Sequence, residues 1–433
     1  MHYYLDPGGR LVGRIRVPGD KSMSHRSIML GSLAEGTTRV SGFLEGEDAL
    51  ATLRAFQQMG VRISEPRGGE LSIEGVGLRG LQAPELIMDV GNSGTSIRLM
   101  AGLLAGQRFD SILTGDVSLQ SRPMGRVITP LSQMGALISS REGFPPLEIK
   151  GGRALRGIHY DLPIASAQVK SSVLLAGLYA EGITSVTEPA ITRDHTERML
   201  AGFGYEIDSH DGRISLEGGG TLRATDIDIP ADISSAAFFL VGASIAPGSD
   251  LVLEHVGINP TRDGVITILR EMGALIEVQN PREIGGETVA DLRVQYAPLR
   301  GIDIPLEEVP LAIDELPVLL VAAACAEGKT TLRGAEELRV KESDRIASMA
   351  EGLTRLGVQN VVLPDGIEVW GGTLGGGTIE THHDHRIAMS FAIASLRATD
   401  RIKVSDCAHV ATSFPGFAEL ANQVGLQLEV VTE

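Results

Sequence analysis

The sequence predicts an α/β protein of two domains, each assembled from three similar units. First, a helical pattern ends six times at an apolar residue that is followed by a glycine and a short strand. Second, most of these six copies come after an apolar helix that is closed by a turn. The third observation is 53 glycines in 433 residues, where the usual ~7% would give about 30. The repeating glycines, at nearly regular intervals, are Gly60, Gly135, Gly204, Gly273, Gly357 and Gly425.

Each unit follows the order strand, helix, strand, shorter helix and strand. The repeating glycines are expected to act as helix C-caps and turns. A period of about 70 residues is too long for the common solenoid repeats. Six such units therefore divide most simply into two domains of three.

The longer helix of each unit begins among residues that cap helices or carry charge. A helix N-terminus presents unpaired N–H groups and a partial positive charge. If the units are arranged symmetrically, several of these N-termini point into one cleft and favour bound anions. The six starts lie at residues 21–22, 91–95, 165–170, 231–235, 312–315 and 383–386.

The composition is that of an ordinary globular chain, with 43% hydrophobic and 21% charged residues. A net charge of −17 argues against a general nucleic-acid or anionic-membrane binder. Two cysteines make no disulfide framework and fit a reducing cytoplasm; Cys325 is expected in the core, and a reactive thiol at Cys407 is an alternative to a buried one. We see no signal peptide and no run near the ~20 apolar residues of a membrane span. A cytoplasmic protein is expected.

The segment Pro18–Arg26 predicts an anion site at the start of a helix. Lys21 and Arg26 add two cations to the helix N-terminus, and Ser22 or Ser24 can cap it. Such a site suits a multiply charged anion, most simply a phosphate ester. The alternative, open at this point, is a capped surface helix with solvated Lys and Arg.

A second charged cluster occupies residues 338–346. Apolar residues at i, i+3 and i+7 from Ile346 predict an amphipathic helix, with Lys341 and Arg345 four residues apart on one face. Like charges at that spacing repel weakly, and a bound anion would relieve the repulsion. A solvated face neutralised by neighbouring carboxylates is the alternative.

Two further arginines suit a ligand that carries both carboxylate and phosphate. Arg122 lies on a loop held by Pro123, and Arg386 stands just before an apolar helix. The planar guanidinium pairs bidentately with either group, although each arginine could also be structural.

His382, His383 and His385 cluster in the sequence like metal ligands. Adjacent histidines diverge on a strand or a helix, and no Cys or HExxH motif accompanies them. We therefore expect no metal.

Taken together, these segments resemble the 5-enolpyruvylshikimate-3-phosphate synthase family of enolpyruvyl transferases. A coincidence of eight segments, in order over nearly the whole chain, is far more specific than any one of them. The matching segments are Pro18 to Arg26, Gly91 to Arg98, Arg122 to Gly125, Ser166 to Lys170, Ile313 to Pro317, Arg339 to Arg345, Asp384 to Met389 and Ser413 to Pro415.

The resemblance implies a fold of two domains, each of three βαβαββ-type repeats, an enolpyruvyl transferase-like inside-out α/β barrel. It places two crossings of the chain near Gly19-Asp20 and Ala231-Asp232. Domain I is then discontinuous, with residues 1–19 plus 232–433, and domain II comprises residues 20–231. An active-site cleft is expected between them.

The resemblance also implies the reaction. The family transfers the enolpyruvyl group of phosphoenolpyruvate to the 5-hydroxyl of shikimate 3-phosphate and releases phosphate, a step of aromatic amino acid biosynthesis. No metal or organic cofactor is expected. The partners are the two small-molecule substrates, and we expect a monomer.

The family's contact residues carry over onto matching positions of this chain. Those expected at shikimate 3-phosphate are Lys21, Ser22, Arg26, Ser166, Gln168, Arg193, Asp314 and Lys341. Those expected at phosphoenolpyruvate are Lys21, Asn92, Gly94, Arg122, Gln168, Arg345 and Arg386.

The residue types fit the chemistry that the resemblance implies. Attack of the 5-hydroxyl needs a base, for which Asp314 is the natural choice. The methylene carbon must gain a proton, and Glu342 with Lys21 is placed by the resemblance to deliver it. The arginines stabilise charge on the tetrahedral intermediate.

This chain departs from the family pattern in places. Thr412 stands where many members carry a Lys before the Ser/Thr-Phe-Pro run, so phosphoenolpyruvate has one fewer cation. Ala167 stands where some members have Ser, and Gly94 where others have Ala. Since Gly94 leaves its pocket open, we predict inhibition by glyphosate.

Two other functions compete with this interpretation. UDP-N-acetylglucosamine enolpyruvyl transferase shares the fold, but it has Lys-Asn in place of Lys21-Ser22. It also usually carries a reactive Cys on the loop that corresponds to Gly115 to Arg122, and this chain has no Cys there. A non-catalytic, hinge-closing anion-binding protein is the second alternative. The carboxylates of Asp314 and Glu342 would repel its ligand.

Overall fold

The computed structural model describes residues 1–432. Within them the helices are α1 (Lys21–Leu33), α2 (Glu47–Gln58), α3 (Gly94–Ala105), α4 (Val117–Gln120), α5 (Gly125–Gln133), α6 (Ala167–Gly177), α7 (His195–Gly202), α8 (Ile233–Ile245), α9 (Gly264–Glu271), α10 (Leu316–Cys325), α11 (Arg345–Arg355), α12 (His385–Ala394) and α13 (Phe417–Val424). Short 3₁₀ helices cover Pro310–Ala312, Glu336–Val340, Ser395–Arg397 and Ala408–Thr412.

The strands are short and mostly lie next to helices in the chain. They are β1 (His2–Leu5), β2 (Val12–Ile15), β3 (Glu35–Ser41), β4 (Arg62–Ile63), β5 (Leu71–Val76), β6 (Met88–Asp89), β7 (Ser111–Thr114), β8 (Leu137–Arg141), β9 (Phe144–Lys150), β10 (His159–Asp161), β11 (Ile183–Thr187), β12 (Asp208–His210), β13 (Arg213–Glu217), β14 (Ile227–Asp228), β15 (Asp250–Gly257), β16 (Leu275–Ile284), β17 (Glu287–Gln295), β18 (Lys329–Leu332), β19 (Asn360–Leu363), β20 (Gly366–Trp370), β21 (Gly377–Glu380), β22 (Ile402–Ser405) and β23 (Leu428–Val431).

These strands form six small sheets in the described chain, one for each predicted repeat. Their strand orders are β14-β3-β5-β4, β6-β7-β9-β8, β10-β11-β13-β12, β16-β17-β15-β2, β18-β20-β19 and β21-β22-β1-β23. The second sheet shows the pattern: β6 and β7 are parallel and joined through α3, and β8 and β9 complete the sheet by antiparallel pairing. The predicted α/β fold of repeated units is confirmed.

The chain divides into two compact units. The central unit comprises Gly19–Ile229 with Ile284–Gly286, and the terminal unit comprises Met1–Pro18, Pro230–Glu283 and the chain from Glu287 onward. The terminal unit is discontinuous because the amino-terminal strands pair with strands from much later in the chain. β2, near the amino terminus, pairs in parallel with β15, whereas β14 pairs in parallel with β3.

Each unit has its own apolar core, built around three long helices: α1, α3 and α6 in the central unit and α8, α10 and α12 in the terminal unit. α8 is buried along its whole length, as expected for a helix that is apolar all round. The sheets have one buried face: β9, for example, alternates buried residues with more exposed ones and packs against α3. A Cβ at Gly102 would lie 2.0 Å from the backbone oxygen of Ser172, so glycine permits the close approach of α3 to α6.

The six repeating glycines end the shorter helices as predicted. Each has a positive φ, between 76° and 118°, which side-chain-bearing residues adopt at a cost. Among residues 1–432, no helix is both long enough and apolar enough to cross a bilayer.

Candidate active site

Three helix N-termini meet in the central unit. Side chains near the starts of α1, α3 and α6 bond to one another across the helices: Arg26 Nη2 donates to Ser171 Oγ at 2.9 Å, and Gln168 Nε2 donates to Thr95 Oγ1 at 3.0 Å. Each N-terminus carries N–H groups without helical partners and a partial positive charge. Their gathering favours an anion at this end of the unit.

Side-chain caps decide where these helices begin. The caps are Asp20, Ser93 and Ser166, each of which accepts from the backbone N–H three residues on. The prediction that Ser22 or Ser24 caps α1 is wrong, because Asp20 precedes them and already occupies that position. Ser24 Oγ instead donates to the backbone oxygen of Asp20 at 2.8 Å.

α1 and α3 are joined by a buried polar chain. His25 Nδ1 lies 2.8 Å from Thr52 Oγ1 and 3.4 Å from Ser96 Oγ. Burial lowers the pKa of His25 to about 3, and the neighbouring charges of Lys21 and Arg26 act in the same direction. His25 therefore stays neutral and adds no charge to the cationic end of the unit.

The two cations of the first motif have different surroundings. Lys21 Nζ pairs with Asp48 at 3.2 Å, and its side chain is 18% exposed. Arg26 is buried, with Nε donating to Thr196 Oγ1 at 2.7 Å and Nη1 to the backbone oxygen of Ser22 at 3.0 Å. Together with its bond to α6, these contacts make Arg26 a tie between elements of the unit.

Four of the residues predicted for phosphoenolpyruvate in this unit, Asn92, Gly94, Arg122 and Gln168, lie together at the start of α3. A Cβ at Gly94 would lie 2.7 Å from Arg98 Nη1 and 3.1 Å from Arg122 Nη1. Arg122 Nη2 donates to Asn92 Oδ1, and Arg98 Nη1 donates to Gln168 Oε1 at 2.7 Å. The structure thus brings two guanidinium groups to one glycine.

A buried ion cluster anchors the segment that carries Arg193. Lys170 Nζ lies 2.5 Å from Glu188 and 2.7 Å from Glu197, and the three side chains are 2%, 4% and 7% exposed. Glu188 also accepts from the backbone N–H of Thr192 at 2.8 Å. Burial raises the pKa of Glu197 in spite of its lysine partner.

The terminal unit repeats the gathering of helix N-termini. Ser234 of α8 donates to the Glu315 carboxylate just before α10, and Arg386 Nη1 of α12 donates to the backbone oxygen of Asp314 at 2.9 Å. Arg262 Nη2 reinforces the start of α8 by donating to Ser234 Oγ at 2.7 Å. The three longer helices therefore begin close together here too.

Arg345 is the most heavily paired cation of this group. Its guanidinium is 1% exposed and contacts three carboxylates: Asp384 at 2.8 Å, Glu342 at 2.6 Å and Asp314 at 3.2 Å. Burial by itself would lower the pKa of Arg345, but these carboxylates outweigh it and raise the pKa above its ordinary value. The arginine is therefore a permanent cation.

Three cations surround the carboxylate of Asp314. Arg345 Nη1 lies 3.2 Å from it, and Lys341 Nζ and Arg386 Nη2 each lie 3.9 Å away. The carboxylate is partly exposed, at 13% of its side-chain surface. A group that can accept a proton thus lies where an anionic substrate would find three positive partners.

The predicted helix face shared by Lys341 and Arg345 is wrong. Asp344 accepts from the N–H of Ala347 at 3.0 Å, which starts α11 at Arg345. Lys341 precedes it in extended backbone after the 3₁₀ helix. The two cations nevertheless converge, since both approach Asp314.

Several residues of these groups were not predicted from the sequence: Asp48, Arg98 and Arg262. Arg98 could have been found, because it follows Gly94 by four residues in a helix and therefore stands above it. Asp48 and Arg262 come from separate helix starts, and no local pattern connects them to their partners.

Comparison with known proteins follows the same lines as the geometry. A family model described as "EPSP synthase (3-phosphoshikimate 1-carboxyvinyltransferase)" matches residues 5–420. A curated 3-phosphoshikimate 1-carboxyvinyltransferase of Alkalilimnicola ehrlichii is 65% identical over 99% of this chain and 96% of its own length. The protein of that name from Methylococcus capsulatus is 64% identical over 98% of this chain and 97% of its own.

Solved structures agree with this assignment. An EPSP synthase from Acinetobacter baumannii superposes with a TM-score of 0.90 at 56% identity, covering 100% of both chains. The enolpyruvyl transferase NikO from Streptomyces tendae superposes with a TM-score of 0.80 at 16% identity, covering 100% of this chain and 99% of its own. At that identity the second likeness shows the fold alone.

Proposed function

Because the chain belongs to the EPSP synthase family, we propose that it transfers the enolpyruvyl group of phosphoenolpyruvate to the 5-hydroxyl of shikimate 3-phosphate, with release of phosphate. The reaction belongs to aromatic amino acid biosynthesis. The two alternative functions weighed from the sequence are not favoured, since the relatives that match the whole chain carry the name of this activity.

The observation that carries the mechanism is the surroundings of Asp314. We assign it as the base that takes the proton of the 5-hydroxyl as oxygen attacks the enol carbon. Lys341, Arg345 and Arg386 lie within 4 Å of this carboxylate, so an anionic substrate drawn to them is drawn to the base. The same cations would stabilise charge on the tetrahedral intermediate.

The cationic end of the central unit supplies the other proposed contacts. Lys21, with Ser22 at the start of α1, and Ser166 with Gln168 at the start of α6 are proposed for shikimate 3-phosphate. Arg193 joins them from the segment fixed by the buried ion cluster. Arg26 is proposed for the same substrate and also ties the helices together as a buried side chain, and helix dipoles add to the attraction of phosphate.

Phosphoenolpyruvate is proposed to bind at two arginine groups. In the central unit Arg122 and Asn92 lie beside Gly94. In the terminal unit Arg345 and Arg386 supply further guanidinium groups. Planar guanidinium suits both the carboxylate and the departing phosphate of this substrate.

Protonation of the methylene carbon is assigned to Glu342 together with Lys21. Glu342 accepts from Arg345 at 2.6 Å, which fixes the carboxylate next to Asp314's cations. Addition forms the C–O bond and protonates the methylene carbon; elimination then removes that carbon's proton and expels phosphate. One acid–base pair can therefore serve both steps.

The test is a phosphate-release assay that requires both substrates. Asp314→Ala is expected to lower turnover by about 10²- to 10⁴-fold, the range for a lost general base, with shikimate 3-phosphate still bound in calorimetry. The matched control is Asp303→Ala, which removes an exposed carboxylate of the same unit and should leave turnover unchanged. Unchanged turnover in Asp314→Ala would refute the assigned base. UDP-N-acetylglucosamine in place of shikimate 3-phosphate should release no phosphate.

We further propose that the enzyme acts as a monomer in the cytoplasm, with its two small-molecule substrates as partners. Size-exclusion chromatography with light scattering tests the first statement, and fractionation of the source cells tests the second.

A further inference from the structure

We propose that His383, Asp406 and His409 form a binding site for a divalent first-row transition-metal ion, with Zn²⁺ as the probe. One ligand atom from each residue lies within 4.8 Å of the others. Two imidazoles and one carboxylate are the donor set that such ions take in proteins, with the remaining coordination positions left to water.

Strand pairing brings the three residues together. β21 and β22 are parallel neighbours whose last residues, Glu380 and Ser405, lie in register. The segments that follow these strands therefore leave the same edge of the sheet side by side. The first carries His383, and the second carries Asp406 and then His409 in the 3₁₀ helix Ala408–Thr412.

One hydrogen bond also ties the two segments to each other, and a second holds the turn of the first segment. Thr381 Oγ1 donates to the backbone oxygen of Asp406 at 3.0 Å, and Asp384 N donates to the oxygen of Thr381 at 3.0 Å. His383 and Asp406 both have positive φ, 61° and 54°, which side-chain-bearing residues seldom adopt. This backbone brings the imidazole of one segment onto the carboxylate of the other.

The three donor atoms are near enough for one ion to reach them after small side-chain rotations. His383 Nδ1 contacts the Asp406 carboxylate, and the His383 and His409 rings are 5.1 Å apart at an angle of 71°. Tetrahedral Zn²⁺ with ligands about 2.0–2.1 Å away needs donor atoms about 3.3 Å apart. Rotation of the His383 side chain, which is 68% exposed, can open its direct contact with Asp406 and make room for an ion between the donors.

A histidine–carboxylate ion pair is the simpler explanation, and His382 shows what such a pair looks like here. His382, which also has a positive φ, places its Nε2 3.1 Å from the Glu351 carboxylate. Among the described residues, His382 belongs to no group of three side chains that could hold a metal ion. At His383 a second ring lies beside the first. One ion could therefore take a nitrogen from each imidazole together with the carboxylate.

The sequence pattern could not reveal this site. The run His382, His383, His385 was correctly expected to diverge: His385 is buried at the start of α12, and His382 pairs with Glu351. The partners of His383 belong to a later segment of the chain and reach it only through the pairing of β21 with β22.

Isothermal titration of untagged, full-length protein with Zn²⁺ tests the proposal. We expect one ion per chain, with affinity reduced at least about tenfold in His383→Asn and in His409→Gln, since even outer-shell partners of a metal contribute that much. Asparagine is chosen at His383 because it tolerates positive φ. The matched control, His382→Asn, removes an adjacent imidazole of similar backbone and should leave the affinity unchanged.

A second measurement separates a site from loose association. Co²⁺ should give a d–d absorption band in wild type and His382→Asn and lose it in the two ligand variants, while circular dichroism shows all four proteins folded. No binding to wild type would overturn the proposal. Equal affinity in wild type, His383→Asn and His409→Gln would overturn it as well, and so would a loss confined to His382→Asn.

Discussion

Replacing Lys170 with Met is expected to destabilise the central unit strongly. Methionine matches the length of the lysine stem and suits the apolar surroundings of α6. It removes the ammonium that Glu188 and Glu197 share, however, at 2.5 and 2.7 Å. Each of these two buried carboxylates then loses its lysine partner.

The size of the effect follows from burial. At an effective dielectric constant of about 20, each contact is worth about 6 kcal/mol of gross attraction. Desolvation of the ions offsets most of this, so the net value of the pairs is small. Removing one partner leaves the desolvation uncompensated, and that costs about 3–5 kcal/mol. Since domains are stable by about 5–15 kcal/mol, the loss is a large fraction of the total.

Urea unfolding monitored by far-ultraviolet circular dichroism measures the change. With a slope near 3 kcal/mol per molar, a loss of about 3 kcal/mol lowers the midpoint by about 1 M. The matched control is Lys150→Met, which removes a lysine paired with Asp110 at 2.8 Å, where the side chains are 51% and 62% exposed. Exposed pairs of this kind often contribute nothing measurable.

The comparison of the two variants is decisive. Equal midpoints for Lys170→Met and Lys150→Met would refute the reasoning, because the variants differ in burial and not in residue type. The variant at Lys170 should also raise KM for shikimate 3-phosphate, because Glu188 fixes the segment that carries Arg193 through Thr192.

Three further predictions use other parts of the structure. Burial raises the pKa of Glu197, so its contribution to stability is greatest below the unfolded value near 4.5 and is lost as pH rises through the folded pKa; Glu197→Gln should flatten the thermal-stability profile over that window. Gly94→Ala places a Cβ 2.7 Å from Arg98 Nη1, so KM for phosphoenolpyruvate should rise several-fold and the predicted glyphosate inhibition should weaken, whereas Gly125→Ala, with open space at its Cβ, should change neither in steady-state assays. Burial raises the pKa of both Cys325 and Cys407 to about 12, so iodoacetamide at pH 8 should label neither in the folded protein and both in urea, as read by mass spectrometry.

Much of the fold could be predicted because its signals are local. Each shorter helix ends at a glycine with positive φ, so the same residue type recurs at that position in every copy. Gly60 and Gly425 show this at opposite ends of the chain. The sequence repeat could not show which strands from distant parts of the chain pair with each other. β2 and β14 are very short, and each pairs with a strand from a distant part of the chain.

The candidate site divides in the same way. Helix starts could be located from Ser93 or Asp384, whose caps are local hydrogen bonds. Pairings such as Arg98 with Gln168 or Lys170 with Glu197 depend on helix packing and leave no mark at a fixed spacing. The helix face predicted for Lys341 is wrong for a local reason: Asp344 is itself a capping residue, so the helix begins after Lys341.

The acidity of the chain and its cationic site are reconciled at Arg345. The sequence predicted cations that bind an anionic substrate, yet in the structure the Arg345 guanidinium already pairs with three carboxylates. Asp384 is fully buried, whereas the side chains of Asp314 and Glu342 are 13% and 19% exposed, so an arriving phosphate or carboxylate can displace these two partners. These are also the two residues assigned to proton transfer. We infer that substrate binding frees the acid–base groups from the arginine, so that the charge of the substrate itself couples its arrival to the chemistry.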